Sequence, residues 1–137
     1  MRVSNGNDVV MVDDSTPELL LAGECFRRAG LANRWRTFKG GAEFLAYMAE
    51  VEAGNEEMPA LVLMDINMPR QNGLEVVAAT RAREHFADVP PFLMFTNSRN
   101  PADRERAKAL GTSGLQVKPD TVAGYVAFFQ RLSRSIA

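Results

Sequence analysis

Cysteine is nearly missing from this 137-residue chain: Cys25 stands alone, so no internal disulfide can form. Nothing beside it clearly lowers its thiol pKa, and a lone cysteine in a helical stretch reads as a small packed residue. The single histidine, His85 in Arg83-Glu84-His85-Phe86, sits at a predicted helix end where a cation suits the dipole, and reads as structural. Neither sign of charge dominates, with Lys plus Arg at 16 and Asp plus Glu at 17. The broad basic field that nucleic-acid binding requires is therefore missing, and no direct nucleic-acid partner is expected. No stretch approaches the roughly 18 apolar residues of a membrane-spanning helix, and Met1–Asp8 lacks the apolar core of a signal peptide. A cytoplasmic protein without a membrane partner is expected. The length suits one domain with a single core, taken as residues 8–137 behind a tail at 1–7.

What the chain does contain is short apolar runs that end in charge. Leu61-Val62-Leu63-Met64 has no alternation, reads as a strand buried on both faces, and ends at Asp65. Pro69 and Asn72-Gly73 then force a loop. Val9-Val10-Met11-Val12 ends in Asp13-Asp14, Phe92-Leu93-Met94-Phe95 ends in Thr96, and Leu115-Gln116-Val117 ends in Lys118-Pro119. Parallel strands would bring three carboxylates and one ammonium to one sheet edge, where ligands bind in open α/β sheets. Carboxylates crowded in this way repel by several kcal/mol, roughly, unless a cation offsets them. An all-oxygen donor set with few protein ligands favours Mg²⁺ over Ca²⁺.

Helices alternate with these strands. Ser15-Thr16-Pro17-Glu18 combines a hydroxyl cap, a first-turn proline and an acid three residues on. Leu19, Ala22, Phe26 and Ala29 follow on one face, and Gly30 closes the helix. Arg34–Phe38 alternates with period two and reads as a strand near a sheet edge. Helices are expected over 41–53, burying Phe44, Leu45 and Met48, and after Asn72-Gly73, carrying Leu74, Val77, Ala78 and Arg81. Another runs from Asn100-Pro101 to Leu110, and a last one over 122–136. On that last helix Tyr125, Phe129, Leu132 and Ile136 form the core stripe with Val122 and Val126 beside it, and Phe128 falls about a quarter-turn away, partly exposed. The pattern predicts an α/β fold, a doubly wound five-stranded parallel sheet with five helices and right-handed crossovers.

Asp13-Asp14, Asp65, Thr96 and Lys118-Pro119 resemble, in order and spacing, the receiver domain of two-component response regulators over nearly the whole chain. The resemblance implies a flavodoxin-like, CheY-like fold. It implies a phosphoprotein that takes a phosphoryl group from a histidine kinase or histidine phosphotransfer protein onto Asp65 and signals by phosphorylation-dependent protein interaction. Such a module is not an enzyme beyond self-directed phosphoryl transfer and slow autodephosphorylation. By the same resemblance Asp14 and Asp65 bind Mg²⁺ directly, Asp13 acts through a water, and the Asn67 backbone carbonyl completes the protein ligands. Lys118 and Thr96 would contact phosphoryl oxygens. With one helix after Lys118-Pro119 there is no room for a helix-turn-helix output module, so a stand-alone receiver is expected.

Two positions depart from the family pattern. Leu115 stands where Tyr or Phe is usual, and Asn97 follows Thr96 where a small residue is usual; both bear on switching and dephosphorylation. The resemblance implies that the face of the fourth helix, fifth strand and fifth helix serves either a homodimer or the docking of a target, with Phe128 as an anchor there. The run Asn67–Gly73 is similar to members paired with phytochrome-type or hybrid kinases. A haloacid-dehalogenase-type phosphatase would need a second acid where Asn67 stands, since an amide cannot protonate a leaving group. A flavodoxin-like cofactor site is disfavoured because Asp13-Asp14 would repel a phosphate. The remaining alternative is a docking module that phosphorylation does not switch.

Overall fold

A strand sends alternate side chains to opposite faces, so a run with no polar member needs apolar cover on both sides. The computed structural model describes residues 6–135 and shows that cover. β1 (Val9–Val12), β2 (Trp35–Phe38), β3 (Leu61–Met64), β4 (Phe92–Thr96) and β5 (Leu115–Val117) form one parallel sheet in the order β2-β1-β3-β4-β5. Five helices connect and follow them: α1 (Thr16–Arg28), α2 (Gly41–Glu52), α3 (Gly73–Arg81), α4 (Pro101–Ala109) and α5 (Val122–Ser133). Val9, Met11, Leu61, Leu63 and Phe95 pack against Leu19, Ala22, Phe26 and Phe129 of α1 and α5. Val10, Val12, Val62, Met64 and Phe92 pack with Phe44, Met48, Leu74 and Val77 of α2 and α3. The doubly wound sheet expected from the sequence is thus present. Strand order reverses at β1, which places a crevice at the carboxyl ends of β1 and β3.

Local chemistry explains the edges of these elements. Asn72 caps α3 by accepting the Leu74 N–H at 2.7 Å, while the Glu75 carboxylate accepts the Asn72 N–H at 3.1 Å, completing a capping box. β2 lies at the sheet edge, as expected, but it has no single wet face: Trp35 packs toward α1 and α5, Phe38 toward α2, and only Thr37 is exposed. On α2 the buried face is Phe44, Tyr47, Met48 and Val51, and Leu45 is only half-buried because it lies beside that face. After α3 the chain makes a separate 3-10 turn (Glu84–Phe86) that buries Phe86 and leaves His85 exposed.

The last helix requires a correction. Its buried positions are Tyr125, Phe128, Phe129 and Leu132, spaced i, i+3, i+4 and i+7. Phe128, expected to be partly exposed, is only 6% exposed, because its ring stacks on Phe95 of β4 at 5.0 Å and meets Phe129 at 5.1 Å. Val122, expected in the core, is 44% exposed although it lies on the same side of the helix, three residues before Tyr125, because it is the first residue of α5, at the helix end. Ile136 lies outside the described residues, as do the first five residues of the expected tail. No helix among the described residues is long and apolar enough to cross a membrane.

Candidate functional site

Sheet register assembles the site. Val12 pairs with Met64, and the Asp65 N–H donates to the Val12 carbonyl at 3.0 Å, so Asp13 and Asp65 leave adjacent strand ends. Thr96 is the last residue of β4, and the Lys118 N–H donates to its carbonyl at 2.8 Å. Asp13, Asp14 and Asp65 each offer a carboxylate oxygen, and these atoms lie within 4.8 Å of one another. The Lys118 ammonium enters this group with Nζ 2.5 Å from Asp13 Oδ2 and 3.8 Å from Asp65 Oδ2. Asp13, Asp65 and Lys118 are buried, at 1%, 7% and 5% exposed, and Asp14 faces solvent.

Both oxygens of Asp13 are engaged within the protein. Oδ1 accepts the Ser15 N–H at 2.9 Å and Oδ2 accepts from Lys118. The expected capping box at Ser15 is therefore half formed. Ser15 Oγ accepts the Glu18 N–H at 3.3 Å, but the Glu18 carboxylate turns away to accept the hydroxyl of Tyr125 on α5. Burial works against the charge on Lys118, yet its hydrogen bond to Asp13 and the fields of Asp65 and Asp13 outweigh that and raise its pKa. Burial pushes the Asp65 carboxyl up to about 6; Lys118 opposes the shift, Asp13 adds to it, and hydrogen bonds from the Thr96 side chain and the Ile66 N–H oppose it. Three carboxylates facing one ammonium leave two negative charges without a counter-charge in the cluster. Oxygen donors at this spacing, with one edge open to water, fit a hard divalent ion such as Mg²⁺.

The loop behind Asp65 is folded tightly against it. The Gly73 N–H donates to the Ile66 carbonyl at 2.8 Å, and a Cβ on Gly73 would overlap the Asp65 carbonyl oxygen. Arg70 takes a left-handed backbone conformation, φ 69°, on the way round. Asn67 is exposed on this loop and Asn97 is exposed beside Thr96. Leu115 is buried opposite Met94 in the α2–α3–α4 side of the core, and Arg104 Nη1 of α4 donates to its carbonyl at 3.2 Å. The structure thus brings Asp13, Asp14, Asp65, Thr96 and Lys118 together at one edge and places Phe128 in the core. Sequence reasoning passed over Glu18, Tyr125, Ser98 and Asp103 as site neighbours. For Glu18 a signal exists, an acid near the acidic pair, but its spacing from Ser15 equally fits a helix cap.

The chain is similar in sequence and fold to known response regulators. The transcriptional regulatory protein PrrA of Mycobacterium tuberculosis is 32% identical over 126 residues, which is 92% of this chain and 49% of that protein. The chain therefore spans about half the length of that curated relative. The response regulator RPA3017 in red light signaling of R. palustris is 28% identical, with a TM-score of 0.81 over 92% of this chain and 90% of that one. The chemotaxis response regulator CheY4 of Vibrio cholerae is 27% identical, with a TM-score of 0.73 over 93% and 99% of the two chains. The family model described as the response regulator receiver domain matches residues 9–125, and this chain belongs to that family.

Proposed function

We propose that Asp65 is the phosphoacceptor of a Mg²⁺-dependent receiver and that the modified surface signals through protein contacts. Receiver domains interact with histidine kinases or phosphotransfer proteins and bind Mg²⁺ at an acidic pocket. The observation that carries the reading is the buried meeting of Lys118 with Asp13 and Asp65 at the carboxyl edge of the sheet. In the transfer an Asp65 carboxylate oxygen forms the new O–P bond while the donor's P–N bond breaks, and the electron pair leaves on the imidazole nitrogen. Asp14, Asp65 and the Asn67 carbonyl would hold the ion, which offsets phosphoryl charge. Asp13, with both oxygens already engaged, would act through water. Lys118 is poised to exchange part of its bond to Asp13 for a phosphoryl oxygen, and Thr96 to donate its hydroxyl to another.

The likeness to RPA3017, 28% identical, favours a kinase of a light-signalling pathway as the partner. A small phosphodonor with Mg²⁺, followed by intact mass, tests the acceptor. The expected result is one phosphoryl group on the wild type and none on Asp65→Asn; labelling that persists in the variant overturns the assignment. An unlabelled wild type would favour the unswitched docking module.

A further inference from the structure

The loop after Thr96 carries a continuous chain of hydrogen bonds into α4. Thr96 ends β4 at the same sheet edge as Asp65, and its Oγ1 accepts the Ser98 backbone N–H at 3.3 Å. The Ser98 hydroxyl donates to Asp103 Oδ2 at 2.5 Å and accepts the Asn100 N–H at 3.3 Å. Asn100 is the N-cap of α4, and its Oδ1 accepts the Ala102 N–H at 3.0 Å. Asp103 occupies the third helical position, where an acid ordinarily reaches back to the N-cap N–H to close a capping box. Here that reciprocal bond is relayed: Ser98 Oγ takes the N-cap N–H, and Asp103 takes the Ser98 proton. A serine hydroxyl that would otherwise rotate is thereby held on both its donor and an acceptor side.

We propose that Asp103 is a positioning residue for phosphoryl transfer, acting through Ser98 to orient the Thr96 hydroxyl toward the reacting oxygens at Asp65. A threonine hydroxyl has one proton and two acceptor sites, so an N–H fixed on one lone pair restricts where the proton can point. Thr96 is fully buried, and misdirection of its proton there is not repaired by bulk water. The bond to a carboxylate is charge-assisted and stronger than one between neutral groups, which suits Asp103 to hold a loop that must stay in register with the site. A bland role also exists for Asp103, since an acid in the first turn stabilises a helix through its dipole. Asparagine separates the two roles, because its amide oxygen still accepts from Ser98 while the charge is gone.

This inference rests on the reading of Asp65 as phosphoacceptor. The test measures the initial rate of labelling from acetyl phosphate with Mg²⁺ by intact mass, for wild type, Asp103→Ala, Asp103→Asn, Ser98→Ala, Thr96→Ala and the Thr96→Ala/Asp103→Ala double variant. Asp103→Ala and Ser98→Ala are expected to slow labelling about fivefold, the order of one hydrogen bond. Asp103→Asn should keep most of the rate, and Asp103→Ala should cost nothing further once Thr96 is alanine. Wild-type rates in both Asp103→Ala and Ser98→Ala overturn the proposal, and so does an equal loss with and without Thr96. Hydrogen exchange at the Ser98 and Asn100 amides is read in parallel, with faster exchange expected in Asp103→Ala and near-normal exchange in Asp103→Asn. Should the wild type take no label, the phosphoacceptor reading and the catalytic role built on it both fall. Amide exchange then shows separately whether the relay exists, and unchanged exchange in Asp103→Ala removes it as well.

Discussion

Replacing Asp65 with asparagine should stabilise the metal-free protein at neutral pH and leave it unchanged in acid. Burial lifts the Asp65 carboxyl from an ordinary 3.8 to about 6, so the folded chain holds this proton more tightly than the unfolded chain does. Where the folded state binds more protons, stability falls as pH rises. The penalty is absent below about pH 4, grows as pH rises toward 6, and is complete above it. The displacement corresponds to about 3 kcal/mol at most, at roughly 1.4 kcal/mol per tenfold change in proton affinity. Asparagine keeps an oxygen to accept the Ile66 N–H, at 2.9 Å in the wild type, and carries no charge to bury. Urea unfolding of wild type and Asp65→Asn in EDTA, from pH 4 to pH 7.5, reads the effect as the pH-dependent part of the difference between the two proteins. The stability difference should open with pH in favour of the variant. A difference that does not change with pH, or a variant less stable at pH 7.5, would refute the account of Asp65 as a desolvated charge.

Two further outcomes follow from the same geometry. Lys118→Met leaves Asp13 and Asp65 buried without their cation, which should cost about 3–5 kcal/mol in EDTA. Saturating Mg²⁺ should return a larger share of stability to this variant than it adds to the wild type, as urea midpoints with and without the ion would show. A Lys118→Met protein as stable as wild type in EDTA would count against the charge deficit. Phe128→Ala removes a ring stacked on Phe95 and should lower stability by about 3–5 kcal/mol, read from urea unfolding. Unaltered stability would mean that Phe128 is not part of the core.

Strands were legible because this sheet is covered on both faces: runs such as Leu61–Met64 and Val9–Val12 contain only apolar residues, and the charge that ends each run marks the sheet edge. The acidic cluster and Lys118 were legible for the same reason, since parallel register carries strand ends to one place. The angular position of Phe128 was not. A helix packed against a sheet buries a wide face, and the ring of Phe95, not the helical period, decides how far round α5 that face extends. Nor could the pairing of Asp13 with Lys118 be read, because a charge at a strand end has several partners within reach and only side-chain direction chooses among them. Glu18 shows the limit of local rules. Its spacing from Ser15 fits a capping box, but a tyrosine 107 residues later, on α5, competes for the carboxylate and takes it.

The bonds that complete the acidic edge span most of the chain, 105 residues from Asp13 to Lys118 and 107 from Glu18 to Tyr125. During synthesis, all three aspartates leave the ribosome well before the lysine that offsets their repulsion. A nascent chain ending short of Lys118 carries the acidic edge without its ammonium, and one ending short of Tyr125 lacks the hydroxyl that holds Glu18. The site is therefore assembled late, when the final strand and helix close over β4, and a prematurely ended chain has Asp65 without the ammonium that faces it in the folded protein.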